Sequence, residues 1–252
     1  MSFGPLATLA ALVWFFSRTA LAGPPFVTDD PEPIGHRHWE LYLASQTSHE
    51  PWVWSGTAPL FEANYGVVPN VQLHVIAPLA FSAVAGQDTH YGYGDMEVGS
   101  KIRFVQEGEW VPQIGTYPML EAPTGSKKRG LGNGSAQVFV PLWIQKSFGP
   151  WTTYGGPGFW IDAGSPDRHW WYLGWEVQRK IVDGLALGAE VFDSTPKEKA
   201  EANDLRFNVG TIIDVTDTHH FLISAGRGVL GPNLFQSYFA YLMTLGPREE
   251  AE

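Results

Sequence analysis

Asp95-Met96-Glu97-Val98-Gly99-Ser100-Lys101-Ile102-Arg103-Phe104 shows the clearest alternation in the chain. Asp95, Glu97, Lys101 and Arg103 fall on one face of an extended chain, and Met96, Val98, Ile102 and Phe104 on the other. An ionised face needs water or partners and an apolar face needs to be covered, so the pattern suits a strand standing between a polar lumen and lipid. Slipping it by one residue would carry Lys101 and Arg103 into lipid at about 2–4 kcal/mol each near the midplane, which fixes the register.

The same reading extends along the chain. Trp171, Leu173, Trp175 and Val177 face outward while Glu176, Gln178 and Lys180 face inward. Leu185, Leu187, Ala189 and Val191 face lipid, with Gly188 and Glu190 opposite. Leu205, Phe207, Val209 and Ile213 leave Arg206, Asn208 and Asp214 inside. Earlier, Trp39, Leu41 and Leu43 oppose Glu40, Tyr42 and Gln46, and Phe61, Ala63, Tyr65 and Val67 oppose Glu62 and Asn64. Val71, Leu73, Val75, Leu79 and Phe81 share a face. Further stretches near 111–121, 137–147, 151–162, 219–227 and 237–245 bring the count to about twelve strands of the ~9–11 residues that cross a bilayer, with ten or fourteen still open. Pro112, Pro118, Pro141 and Pro157 cannot donate to a ladder, so each implies a bulge or a local gap.

The gaps alternate in length. Val68-Pro69-Asn70, Glu107-Gly108-Glu109, Gly149-Pro150, Val182-Asp183-Gly184 and Thr216-Asp217-Thr218 are short. Those near 49–56, 84–94, 122–136, 164–169, 196–204 and 228–236 are longer and rich in Gly, Pro and charge. Tight periplasmic turns and longer outer loops have this rhythm. A soluble β-sandwich also shows short alternating strands, but its dry core could not hold Glu40, Glu62, Glu97, Glu176 and Glu190. The expected fold is an all-β, transmembrane, antiparallel up-and-down barrel.

Residues 1–22 read as a signal peptide: an apolar run from Pro5 to Phe16, then Ala20-Leu21-Ala22 as a cleavage signal. Residues 23–37 carry Pro24, Pro25, Pro31 and Pro33 around Asp29 and Asp30 and form an irregular periplasmic leader or plug. The barrel is expected over 38–246 and an acidic tail over 247–252. After Ala22 no stretch has the roughly 18 consecutive apolar residues of a transmembrane helix. The absence of cysteine removes disulfides and thiolate metal sites. With 16 Lys and Arg against 26 Asp and Glu, nucleic acid is excluded as a partner. Eleven Trp and nine Tyr suit the two headgroup-level girdles of a barrel.

Several stretches also resemble a known family: Pro24 to Pro31, Gly94 to Phe104, Gly130-Leu131-Gly132-Asn133-Gly134, Trp143 to Gly156 and Ser224 to Gly228. They are similar to a bacterial family of outer-membrane barrels that goes by the name MetA-pathway of phenol degradation, or simply transporter-like. The resemblance covers nearly all the chain after the signal peptide and implies a bacterial outer-membrane location and a small, aromatic or hydrophobic solute. Outer-membrane barrels usually finish on an aromatic residue that the assembly machinery reads; here Leu245 stands in that place and Gly246 to Glu252 follow.

The expected lumen lining is Glu40, Glu62, Asn64, Asp95, Glu97, Lys101, Arg103, Glu121, Gln145, Glu176, Gln178, Lys180, Glu190, Arg206, Asn208 and Asp214, with Gln46 and Gln113 between them. Such rings of side chains set what a pore passes, and the acidic excess favours cations or neutral solutes. The function expected is a channel or transporter working by passive or facilitated diffusion through a narrow polar lumen. A closed structural or ligand-binding barrel and an outer-membrane hydrolase are the alternatives. The hydrolase would use His74 as base, with no serine placed beside it by the sequence. No cofactor and no metal are expected. Adjacent His219 and His220 point to opposite faces of a strand, or sit in a solvated turn, and His36 and His38 are an equally poor pair. Lys127, Lys128 and Arg129 are expected to meet lipopolysaccharide phosphates or fold over the mouth. Expected partners are outer-membrane lipid and lipopolysaccharide, a small-molecule solute and the barrel assembly machinery.

Overall fold

A computed structural model describes residues 24–164, 169–197 and 203–247. The expected signal peptide, and all of the expected tail beyond residue 247, lie outside the described residues. Fifteen strand segments form one sheet: β1 (Trp39–Glu50), β2 (Val53–Val68), β3 (Val71–Val84), β4 (His90–Tyr93), β5 (Met96–Val105), β6 (Gln113–Thr116), β7 (Met119–Ala122), β8 (Gln137–Pro141), β9 (Trp143–Phe148), β10 (Trp151–Asp162), β11 (Trp170–Val182), β12 (Leu185–Ser194), β13 (Asp204–Asp214), β14 (His219–Leu230) and β15 (Phe235–Leu245). The pairs β4/β5, β6/β7 and β8/β9 are each one strand with a break, so the sheet is an antiparallel barrel of 12 strands. It closes where β1 pairs with β15, from Trp39 opposite Leu245 to His49 opposite Phe235. Closure removes the free edge that an open sheet of this size would expose.

The alternation decides what each face carries. Trp171, Leu173, Trp175 and Val177 are exposed on the outside of β11, while Tyr172, Gly174, Glu176 and Gln178 between them are buried. An apolar surface of that extent, circling the molecule, is stable in hydrocarbon and not in water. Aromatic rings lie near both ends: Trp110, Phe148 and Trp151 at the short-turn end, and Trp52, Tyr91 and Tyr93 at the other.

Three of the expected gaps differ. The long gap near 49–56 is a tight turn, since β1 runs to Glu50 and pairs it with Val53. Strand pairing there continues past the expected edge, helped by His49 stacked on Trp54 at 4.3 Å, and Trp52 takes the left-handed turn position at φ 76°. Conversely, the short gap at Glu107-Gly108-Glu109 spans 106–112, where Glu107 accepts Lys146 Nζ at 2.6 Å. The long gap near 228–236 narrows to 231–234.

The prolines differ too. Pro118 lies in the break between β6 and β7, and Pro141 ends β8 just before the break at Leu142. Pro157 sits in unbroken β10 but faces that break, accepting the Leu142 N–H at 2.9 Å. Pro112, expected at a bulge or gap, simply precedes β6.

Candidate functional site

The interior is filled from the wall and from the N-terminal segment. Residues 24–38 run inside the barrel and touch it from β14 round to β2. The Ser224 hydroxyl on β14 donates to the Pro25 carbonyl. Glu190 on β12 accepts the N–H groups of Val27 and Thr28, each at 2.8 Å. Thr28 Oγ1 is 3.0 Å from the Tyr172 hydroxyl on β11. Lys101 on β5 reaches Asp29 at 2.9 Å and Asp30 at 3.1 Å. Glu32 then accepts from Arg103, Gln113 and Gln145 at 3.5, 3.3 and 3.2 Å. The Ile34 N–H donates to Gln72 on β3, and Arg37 N–H to the Gly66 carbonyl on β2. Four prolines keep this stretch from pairing as a strand, so its polar groups meet wall side chains instead. Thr28 and Asp30 are completely buried. Burial holds the Asp30 carboxyl well above the usual carboxylate range, with the Lys101 ammonium opposing it.

A second polar group fills the wall from β1 to β5. His74 Nδ1 meets Asn64 Oδ1 at 2.7 Å and Nε2 meets Glu97 Oε1 at 2.9 Å, so both ring nitrogens face oxygen acceptors. Asn64 donates on to Glu62 at 3.0 Å and Glu40 at 3.4 Å. His74, weighed above as a catalytic base, is thus held between an amide and a carboxylate.

The expected lining residues divide by depth. Asn64, Lys101, Gln145, Glu176, Gln178, Glu190 and Asn208 are buried. Glu40, Glu62, Glu97 and Arg103 belong to the two groups just described. Asp95 and Glu121 face the long-loop end, where Asp95 holds the N–H groups of Gly125 and Asn133 at 2.7 and 2.6 Å and Glu121 meets Asn133. Arg206 pairs with Asp204 and donates to Gln236. Lys180 and Asp214 stand at the short-turn rim, Lys180 paired with exposed Asp183 at 2.6 Å and Asp214 with His220 at 2.8 Å. His219 meets Tyr241 instead, so the two histidines point apart; both open β14 and neither is in the turn. Arg129 donates to the Tyr91 carbonyl, drawing the basic loop back to the barrel while Lys127 and Lys128 stay exposed.

The interior is less polar than expected. Tyr42, Ala44, Leu60, Ile212, Leu222, Ala240 and Leu242 pack together inside the barrel. Across the lumen Tyr117, Phe139, Trp143, Tyr172 and Phe192 form an aromatic group, extended by Trp160 on Phe139 at 4.7 Å and Trp170 on Trp160 at 5.4 Å. Tyr42 aside, which the alternation already turns inward, an inward apolar residue between two outward ones reads as a lapse in alternation, which hid these positions. The missed acids Asp29, Asp30 and Glu32 did leave a signal: Lys101 and Arg103 point inward and need partners that their own strand does not supply. At the short-turn end a cavity of about 670 Å³, rimmed by Gly149, Pro150 and Gly184, ends at Glu32, Arg103, Gln113 and Gln145.

Closure by twelve strands, an apolar belt outside and a packed polar and aromatic interior define the class: a transmembrane up-and-down β-barrel. No protein-family model matches the sequence, and no curated protein matches it. Solved structures do. The chain is similar in fold to an outer membrane channel from Pseudomonas putida F1, with TM-score 0.71 and 14% identity over 86% of this chain and 98% of that one. It is also similar to the KdgM porin in complex with disordered oligogalacturonate, with TM-score 0.56 and 9% identity over 81% and 98%. The translocator domain of the autotransporter NalP from Neisseria meningitidis follows, with TM-score 0.53 and 8% identity over 82% and 87%. A porin and a translocator sharing one scaffold means that the likeness speaks for the fold, and function rests on the interior.

Proposed function

We propose that the chain is an outer-membrane channel for small solutes, aromatic or hydrophobic in character, whose path is narrowed by residues 24–38. The observation that carries this is the 670 Å³ cavity, open at the short-turn end and stopped at Glu32. A barrel built only for stability has no use for a vestibule that ends on a segment outside the sheet. The inward aromatic group supports an aromatic solute, as does the family resemblance, and the fold's likeness to outer-membrane channels supports the location. Lys127 and Lys128 would meet lipopolysaccharide phosphates; neutralising both should weaken binding to lipopolysaccharide and leave assembly intact.

The complete burial of Thr28 and Asp30 favours a second reading, a closed barrel that binds its ligand without conducting. Planar-bilayer conductance separates the two. Discrete, cation-biased steps that grow when residues 24–37 are deleted support the channel. Silence in both forms, from protein whose heat-dependent gel mobility shows a folded barrel, supports the closed one.

A further inference from the structure

Glu176 is fully buried, yet among the described residues neither of its carboxylate oxygens has a hydrogen-bond partner. The side-chain oxygen of Gln178, the next inward residue of β11, is unpartnered as well, and so is the Tyr238 hydroxyl on β15. Glu176 and Gln178 border one niche, while Tyr238 stands at the far end of the same rung, packed against the group of Tyr42 and Leu60. Gln178 pairs with Gly188, Gly188 with Gly210, Gly210 with Ser224 and Ser224 with Tyr238, a single rung across five strands. Two adjacent glycines leave that part of the wall without side chains.

The space is taken by Phe26, which comes from the N-terminal segment and not from the wall. A Cβ on Gly188 would strike Glu176 Oε1 and stand 2.7 Å from Phe26 Cζ; one on Gly210 would stand 3.0 Å from the same ring. The ring therefore lies against the glycine floor, where it shares the space over Gly188 with the Glu176 carboxylate. It matches the niche in shape and satisfies none of its acceptors. Polar atoms left bare at such depth are a standing cost, and a site that carries several around a ring-shaped space is suited to a ring that brings a donor.

We propose that the Gly188–Gly210 niche is a binding site for a small aromatic molecule carrying a hydrogen-bond donor, kept closed by Phe26. The ligand's ring lies where Phe26 lies, and its phenolic hydroxyl or ammonium group donates to Glu176 and Gln178. A ring without a donor leaves those acceptors unpaired, so the site discriminates against it. This deepens the channel reading and rests on it, because the ligand reaches the niche from the lumen.

Ligand-observed NMR on the refolded chain in detergent, titrated with phenol, benzylamine and toluene, tests the proposal. Phe26→Ala should bind phenol or benzylamine about tenfold more tightly than the wild type does, and about tenfold more tightly than it binds toluene. Adding Glu176→Leu, which removes both acceptor oxygens, should bring the donor-bearing rings back to within about threefold of toluene. Whether phenol or benzylamine binds better assigns a neutral or a cationic donor. Equal binding of all three rings, binding of none, or indifference to Glu176→Leu overturns the proposal. Phe26→Tyr gives an independent check that keeps the ring in place, since its hydroxyl is added at Cζ, the ring atom that shares the space over Gly188 with Glu176. Proteolysis of residues 24–37 should slow by about threefold or more, and an unchanged rate argues against the site. None of these readouts requires conduction, so their failure leaves the bilayer result standing.

Discussion

Two stretches of the wall differ. From β10 to β15 every strand is continuous, with 10 to 13 residues each. From β4 to β9 each strand is cut in two, and five of the six pieces have only 4 to 6 residues. The two stretches also hold the N-terminal segment differently. The continuous wall offers Glu190 to backbone N–H groups. The interrupted wall uses side-chain charge, Lys101 against Asp29 and Asp30, and sets Gln113 and Gln145 on Glu32. The breaks in the interrupted wall are bridged by backbone of neighbouring strands, as where the Leu142 N–H donates to Pro157 and the Ser100 N–H to Pro118, while side chains of that wall grip the segment.

Substitutions should separate the two. The largest effect is expected for Lys101→Met, which leaves Asp29 and Asp30 without their cation inside the barrel; losing one partner of a buried pair costs about 3–5 kcal/mol. Residues 24–37 should become sensitive to protease while heat-dependent gel mobility still reports a folded barrel. Ala189→Pro tests the continuous wall. It removes a ladder N–H between Val177 and Val209 in the apolar belt and should lower stability by about 3 kcal/mol in urea titrations from lipid vesicles. Glu190→Gln loosens the other end of the segment, weakening charge-assisted bonds worth about 1.5–3 kcal/mol, and hydrogen exchange at Val27 and Thr28 should quicken while that at Ile34 does not. Smallest of all, Pro118→Ala should change stability by less than about 1 kcal/mol in the same urea titration, because the ladder is already open there.

The outer face was legible because lipid imposes a strict period of two, which Trp171, Leu173, Trp175 and Val177 obey without exception. What lies inside was read in part. Glu176, Glu190 and Asn208 stand out between apolar neighbours, whereas Leu222, Ala240 and Leu242 do not, since an apolar residue inside looks like one outside. The Pro51-Trp52 turn was hidden because strand pairing above the membrane obeys no hydrophobic pattern. Pro59 and Pro78 went unremarked although both lie where β2 and β3 slip in register, between Thr57 and Leu60. The path of residues 24–38 was the hardest to foresee, because its partners are spread over wall strands far away in the sequence.

That path has a consequence for the order of assembly. The bond from Ser224 to Pro25 spans 199 positions, and those from Glu190 to Val27 and Thr28 span 163 and 162. The Glu190 bonds need β12 and the Ser224 bond needs β14, and the segment is enclosed only once β15 has met β1. The residues that lead the described chain are thus the last to find their places. Contacts of such long range form slowly. The arrival of Phe26 on its glycine floor would serve as an internal clock, marking the moment at which the ring has closed.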